Sequence, residues 1–221
     1  MKDLITELPV LGIETSGELC GVSLFKSPGE IYSAEIRKKN IHSEKLLELV
    51  DQTLKSAALN IREVGSIAVS VGPGSFTGLR IGLSAAKGLA MGAELPIIPV
   101  PTFSAMALQM ASYLPLESDF VIANSVNITE LYVARYKREN EYFTELDSLT
   151  LLLKKEFDSY KNENDIVFGN FAGNEIKKIS EPASEFVCRY AYFFGKDLLT
   201  YNFDYLEPLY LKDFVAKESK K

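Results

Sequence analysis

Between residues 9 and 113 the spacing of hydrophobic positions changes repeatedly, and each change marks an element. Residues 9–15, 20–26 and 30–36 alternate apolar with polar side chains. That predicts three strands joined by turns at Ser16-Gly17-Glu18 and Ser27-Pro28-Gly29. The first is nearly all apolar (Val10, Leu11, Ile13), as a central strand would be. After Ser43, a predicted cap, the period lengthens. Leu46, Leu47, Val50, Leu54, Ala57 and Ala58 then form one stripe of a helix reaching about Ala58. A β-branched run predicts a strand over 66–71, followed by a Gly-Pro-Gly turn and a helix over 78–92. Leu95 to Val100 reads as a short strand between prolines, and Thr102 or Ser104 opens a helix to about Tyr113. The resulting order is β-β-β-α-β-α-β-α.

The rest of the chain reads as a weaker version of the same plan. Phe120 to Ser125, Leu131 to Tyr136 and Glu141 to Leu146 predict strands, with a turn around Arg138-Glu139-Asn140. Leu149 to Tyr160 predicts a helix, Ile166 to Phe168 a short strand, and Ala183 to Thr200 a long aromatic helix whose Phe186, Tyr190 and Phe193 belong to a core. Pro101 and Pro115 place a boundary near 100–118. The predicted domains are 1–105 and 106–206, with 207–221 returning to the first. No internal sequence repeat is visible.

The densest chemistry surrounds Gly72-Pro73-Gly74-Ser75-Phe76-Thr77. Pro73 fixes φ and Gly74 admits angles closed to other residues, so the strand can turn sharply there. Thr77 is the expected N-cap, with Ser75 the alternative. Gly78, Gly82, Ala85, Ala86 and Leu89 fall three and four apart, stacking small residues on one helical face. Interior glycines cost about 1 kcal/mol each relative to alanine, so two of them imply close approach by a neighbour. The motif is neither a P-loop, lacking the Gly-Lys-Ser/Thr, nor a GxGxxG fingerprint, since Thr77 stands at the sixth position. What remains is a set of backbone N–H groups at a helix start, which can hold an anion.

Composition narrows the class. At 221 residues, 47% hydrophobic and 24% charged, the chain is an ordinary globular protein. A net charge of −6 argues against an autonomous nucleic-acid binder, and the short basic tail Lys212, Lys217, Lys220, Lys221 reads as a solvated terminus. Cys20 and Cys188 match no metal spacing and suggest no disulfide framework, and Cys20 reads as a buried reduced thiol. No secretory signal opens the chain, and segment 78–92 is too short and too charged to span a bilayer. A cytoplasmic location is expected.

As whole strings, several segments are more specific. The stretch Val69 to Ala90 resembles the signature of the TsaB (YeaZ) family, bacterial proteins required to make threonylcarbamoyladenosine on tRNA. Leu11-Gly12-Ile13-Glu14-Thr15-Ser16 with Gly21-Val22-Ser23-Leu24, His42-Ser43-Glu44-Lys45-Leu46-Leu47, Pro99-Val100-Pro101-Thr102-Phe103-Ser104-Ala105 and Glu207-Pro208-Leu209-Tyr210-Leu211-Lys212 agree, in the expected order. The resemblance is dense through about residue 111, thin over 115–200, and returns near 207–212. It implies an α/β fold of two ribonuclease-H-like halves of the actin–hexokinase type, each a mixed sheet flanked by helices, the second half degraded.

The resemblance also implies a role without catalysis: a scaffold binding the metalloenzyme subunit TsaD, with the ATPase TsaE joining, homodimers in isolation, and tRNA contact only within the complex. Helices 43–58 and 78–92 would pack against a partner as a four-helix bundle. The interface candidates are Leu46, Leu47, Val50, Leu54, Gly78, Leu79, Gly82, Leu83, Ala86 and Ala90. The alternative is a small ATP-dependent phosphotransferase or ATPase built on Glu14. In ATP-using members of the superfamily an acidic residue at this strand end approaches the metal–phosphate group, although the family pattern has the shorter Asp. The candidate nucleotide-contacting turns are Glu14-Thr15-Ser16 and Gly72, Pro73, Gly74, Ser75, Phe76, Thr77. A second carboxylate is expected near Asn124-Ser125-Val126-Asn127, and none stands there. No cofactor is therefore required, and weak ATP or ADP binding at a subunit junction is the most these turns imply. The single histidine, His42, lacks partners for metal ligation or a nucleophilic elbow, and is expected at the surface beside the helix start. Where relatives show Asp-Ala-Arg, a basic residue and Gly before Glu-Val-Tyr, this chain has Ser125-Val126-Asn127-Ile128-Thr129 before Glu130-Leu131-Tyr132.

Overall fold

The computed structural model describes residues 9–140, 142–171 and 176–209. Two five-stranded mixed sheets carry the fold. The first runs β3-β2-β1-β4-β5, built from β1 (Val10–Glu14), β2 (Leu19–Ser27), β3 (Glu30–Arg37), β4 (Ser66–Gly72) and β5 (Ile97–Pro101). β1, β2 and β3 form an antiparallel meander, and β4 and β5 add in parallel beyond β1. The second sheet holds β6 (Asp119–Ser125), β7 (Glu130–Glu139), β8 (Tyr142–Leu153), β9 (Ile166–Gly169) and β10 (Lys177–Lys178), in the order β10-β9-β6-β7-β8. Its pairings repeat those of the first: a meander β6-β7-β8, then β9 and β10 in parallel beyond β6. The expected two-half fold class holds, and the duplication absent from the sequence is present in the topology.

Helices α1 (His42–Ser56) and α2 (Phe76–Ala93) cover one face of the first sheet. Leu11, Ile13, Val22 and Leu24 meet Leu46, Val50, Leu54, Leu83, Ala86 and Ala90 there. Its other face is covered by α5 (Ser184–Phe194), which follows the second sheet in sequence. Conversely α3 (Thr102–Ala111) follows the first sheet and packs on the second, with Phe103, Met106 and Met110 against Phe120, Ile122 and Tyr136. The two halves thus exchange helices across their junction. The second half keeps only α4 (Phe157–Tyr160) in the place of α1. Between β9 and β10, where the first half has α2, the described residues hold no helix.

Four expectations fail locally. The predicted helix 149–160 is strand as far as Leu153, because β7 is long enough to pair Tyr132 with Leu151 and Leu131 with Leu152. The predicted helix to Thr200 ends at Phe194, because Thr200 turns back to bridge Ile97 on β5. Ser43 does not cap α1, whose N-cap is Ile41 without a side-chain bond, and Ser43 lies inside the helix. For α2 the cap is Ser75, whose hydroxyl accepts from the Gly78 N–H at 3.2 Å, and Thr77 is already helical. From residue 210 onward the proposed return of 207–221, and with it the basic tail, lies outside the described residues. Within them, the Leu209 N–H donates to the Val71 carbonyl at 2.7 Å.

Candidate functional site

The two halves flank a cleft of about 1290 Å³. Its floor on the first half is the β1–β2 turn, Ser16-Gly17-Glu18, and the β4–α2 turn, Pro73 to Thr77. The opposite wall includes Asn124 to Asn127, Asn170 and Lys178. The sequence-predicted turns are therefore brought together, at the ends of two parallel neighbours, β1 and β4.

Their chemistry is directed inward. Glu14 is fully buried, and its carboxylate accepts from the Ser16 N–H, the Ser16 hydroxyl and the Ser70 hydroxyl. Burial, with the repulsion of nearby Glu181 adding to it, pushes the Glu14 pKa from 4.5 up to about 7, and the serine bonds only partly oppose this. The Ser75 N–H donates to the Ser16 carbonyl at 2.7 Å and the Gly72 N–H to the Thr102 hydroxyl at 3.1 Å. Four amides of the expected anion cradle (Ser16, Gly72, Ser75 and Gly78) are thus spent within the chain. Glu14 is absent from the cleft lining.

The glycines of α2 divide into two sets. A Cβ on Gly78 would overlap the Thr15 carbonyl oxygen, and one on Gly82 would overlap the Thr15 hydroxyl. The Thr15 hydroxyl donates to the Gly78 carbonyl at 2.8 Å, so the glycines admit the β1–β2 turn onto the helix. By contrast, a Cβ on Gly88 or Gly92 would meet nothing within 4 Å. The predicted interface is corrected accordingly. Leu46, Val50, Leu54, Leu83, Ala86 and Ala90 lie in the core beneath α1 and α2, and Gly78, Leu79 and Gly82 are buried too. Of the ten candidates only Leu47 is exposed, at 61%. An amphipathic stripe in the sequence marks the face toward the chain's own sheet first.

The face that remains open carries Leu47 on α1 and Ile81, Ser84, Ala85, Gly88 and Met91 on α2. A groove of about 520 Å³ runs between the helices at their N-terminal ends, where the Arg80 guanidinium stacks 3.9 Å from the Phe76 ring.

His42 is not at the surface. It is 6% exposed, and its Nε2 lies 3.1 Å from the Leu19 carbonyl oxygen, tying the start of α1 to β2. Among the described residues no three His, Cys, Asp or Glu side chains stand together in metal-binding geometry. Both cysteines are free and buried. Glu181 is the residue the sequence reading missed. It stands just ahead of α5, buried to 2% exposure, and bonds to Arg37 across the halves. No local pattern announces its tie across the halves, because Arg37 is 144 residues away.

A family model described as TsaD, tRNA N6-adenosine threonylcarbamoyltransferase, matches residues 35–163. The chain is 36% identical over 132 residues to the tRNA threonylcarbamoyladenosine biosynthesis protein TsaB of Haemophilus influenzae, covering 60% of this chain and 55% of that relative. It belongs to the family that the TsaD model describes. The TsaB of Escherichia coli is 33% identical over 147 residues, 66% of this chain and 63% of the relative. The chain thus spans between half and two thirds of these curated TsaB proteins. In fold it is similar to a Pseudomonas aeruginosa structure described as YeaZ, with a TM-score of 0.77 and 22% identity over 93% of this chain and all of that one. A second structure from that organism, described as an uncharacterized protein with similarity to peptidase YEAZ, gives a TM-score of 0.80 at the same identity and coverage. Among the described residues, no helix is long and apolar enough to cross a membrane.

Proposed function

We propose that this chain is a TsaB (YeaZ) protein, a non-catalytic scaffold in bacterial tRNA N6-threonylcarbamoyladenosine formation. It would bind a TsaD-like metalloenzyme through the outer face of α1 and α2, with a TsaE-like ATPase joining the pair. The same face would pair two copies when the metalloenzyme is absent, and tRNA would be met only within the complex. The observation carrying this reading is the second glycine set. Gly88 and Gly92 cost α2 about 1 kcal/mol each, and among the described residues nothing lies within 4 Å of where their Cβ atoms would stand. A helix from another subunit, packing at the close distance small residues allow, supplies the missing reason.

The reading as an ATP-dependent phosphotransferase is disfavoured by the site. The Ser16, Gly72 and Ser75 amides of the two turns are engaged internally, Glu14 is buried outside the cleft lining, and the matching strand end in the second half carries Asn124, which donates to the Ser180 carbonyl at 2.7 Å. Reconstitution tests the proposal. TsaD-like and TsaE-like subunits should form modified adenosine on tRNA only when this chain is added, and the chain alone with Mg-ATP should show no turnover. Turnover by the isolated chain, or full modification without it, would overturn the assignment.

A further inference from the structure

The cleft is lined by cations, yet the first half's share is already matched by carboxylates of the chain. Lys39 pairs with Glu18 at 3.2 Å, and both side chains are largely exposed, so that pair is weak and exchangeable. Arg37 is different. Its guanidinium bonds to Oε1 of Glu181, a side chain with no solvent exposure, while the Ser180 hydroxyl donates to Oε2. The Glu181 carboxyl is seated directly on Gly17: a Cβ there would overlap Oε2 and lie 2.9 Å from Glu181 Cβ. Glycine at this point of the β1–β2 turn therefore makes room for a side chain from the opposite half. The arrangement is a carboxylate clamped between an arginine, a hydroxyl and a backbone turn, directly beneath Gly17, Arg37 and Ser180 of the cleft lining. An arginine fork beside a Cβ-free turn is a suitable seat for an external oxyanion.

We propose that Glu181 is a built-in anion, an autoinhibitory carboxylate that fills the oxyanion seat of Gly17 and Arg37 and thereby closes the cleft to phosphate-bearing ligands. The inference does not depend on the scaffold reading, since it concerns only what the cleft of the isolated chain accepts. An incoming phosphate would have to displace Glu181, leaving its charge buried beside Glu14, whose carboxylate already repels it. Neutralising Glu181 at constant shape removes that barrier and frees the guanidinium.

Inorganic pyrophosphate is the probe, with binding followed by calorimetry and by the melting temperature of the full chain. Wild type should give no binding heat at millimolar pyrophosphate and no rise in melting temperature. Glu181→Gln and Glu181→Ala should bind it at least tenfold more tightly than wild type, and adding Arg37→Gln should abolish the gain. Three results would overturn the proposal: a pyrophosphate-dependent rise in the wild-type melting temperature, Glu181 variants that bind no better than wild type, or a gain that persists without Arg37. The wild-type measurement decides on its own should the Glu181 variants fail to fold.

Discussion

Glu14 shows how one buried residue sets a measurable property of the whole chain. Its carboxyl titrates near 4.5 when unfolded and near 7 in the fold. Below pH 4.5 both states hold the proton. Between 4.5 and 7 only the folded state does, so stability falls as pH rises through that window and levels off above it, by about 3 kcal/mol in all. In Glu14→Gln the amide oxygen can accept from Ser16 and the amide N–H can donate to the Ser70 hydroxyl. Urea midpoints from pH 4.5 to 8 should therefore decline more in wild type than in Glu14→Gln. Equal declines would mean that Glu14 is not the titrating group. The sequence reveals an acidic residue at a strand end but not which way it points. That is decided by Ser70, 56 residues away.

The same limit appears at the scale of elements. The spacing of Gly78, Gly82 and Ala86 correctly announces a close approach, but a helical period cannot say whether the neighbour is this chain's Thr15 or another subunit. Only the folded chain separates the two glycine sets, and the separation is testable. Gly78→Ala and Gly82→Ala should destabilise by about 1–3 kcal/mol, because their Cβ atoms overlap Thr15. Gly88→Ala and Gly92→Ala should stabilise by about 0.5–1 kcal/mol each, since they gain helix propensity in open space. Thermal or chemical denaturation of the four variants reads both signs. Strands β1 to β5 were legible because their alternation and turn residues are strong. The β8 segment was not: Leu149, Leu151, Leu152 and Leu153 suit a buried helix as well as a strand, and only the length of β7 resolves it. The tie between α1 and β2 through His42 was likewise hidden, since its acceptor is a backbone carbonyl.

At the scale of the molecule, one strand order used twice carries two different surfaces. The first half keeps both outer helices and their glycine-bearing face. In the second half, a four-residue helix and loop residues such as Phe171 cover what they can of the corresponding sheet face. The exchange of α3 and α5 between the halves packs each half's helix on the other's sheet across their junction. On the scaffold proposal, recognition of a partner falls to α1 and α2, and the affinity should reside in a few central residues of that face. The most direct measurement is sedimentation of the chain mixed with a TsaD-like subunit, comparing wild type with Gly88→Arg and Leu47→Glu. Wild type should form a complex, and both variants should sediment as separate components while keeping a melting temperature within a few degrees of wild type. A complex that survives both substitutions would contradict the account.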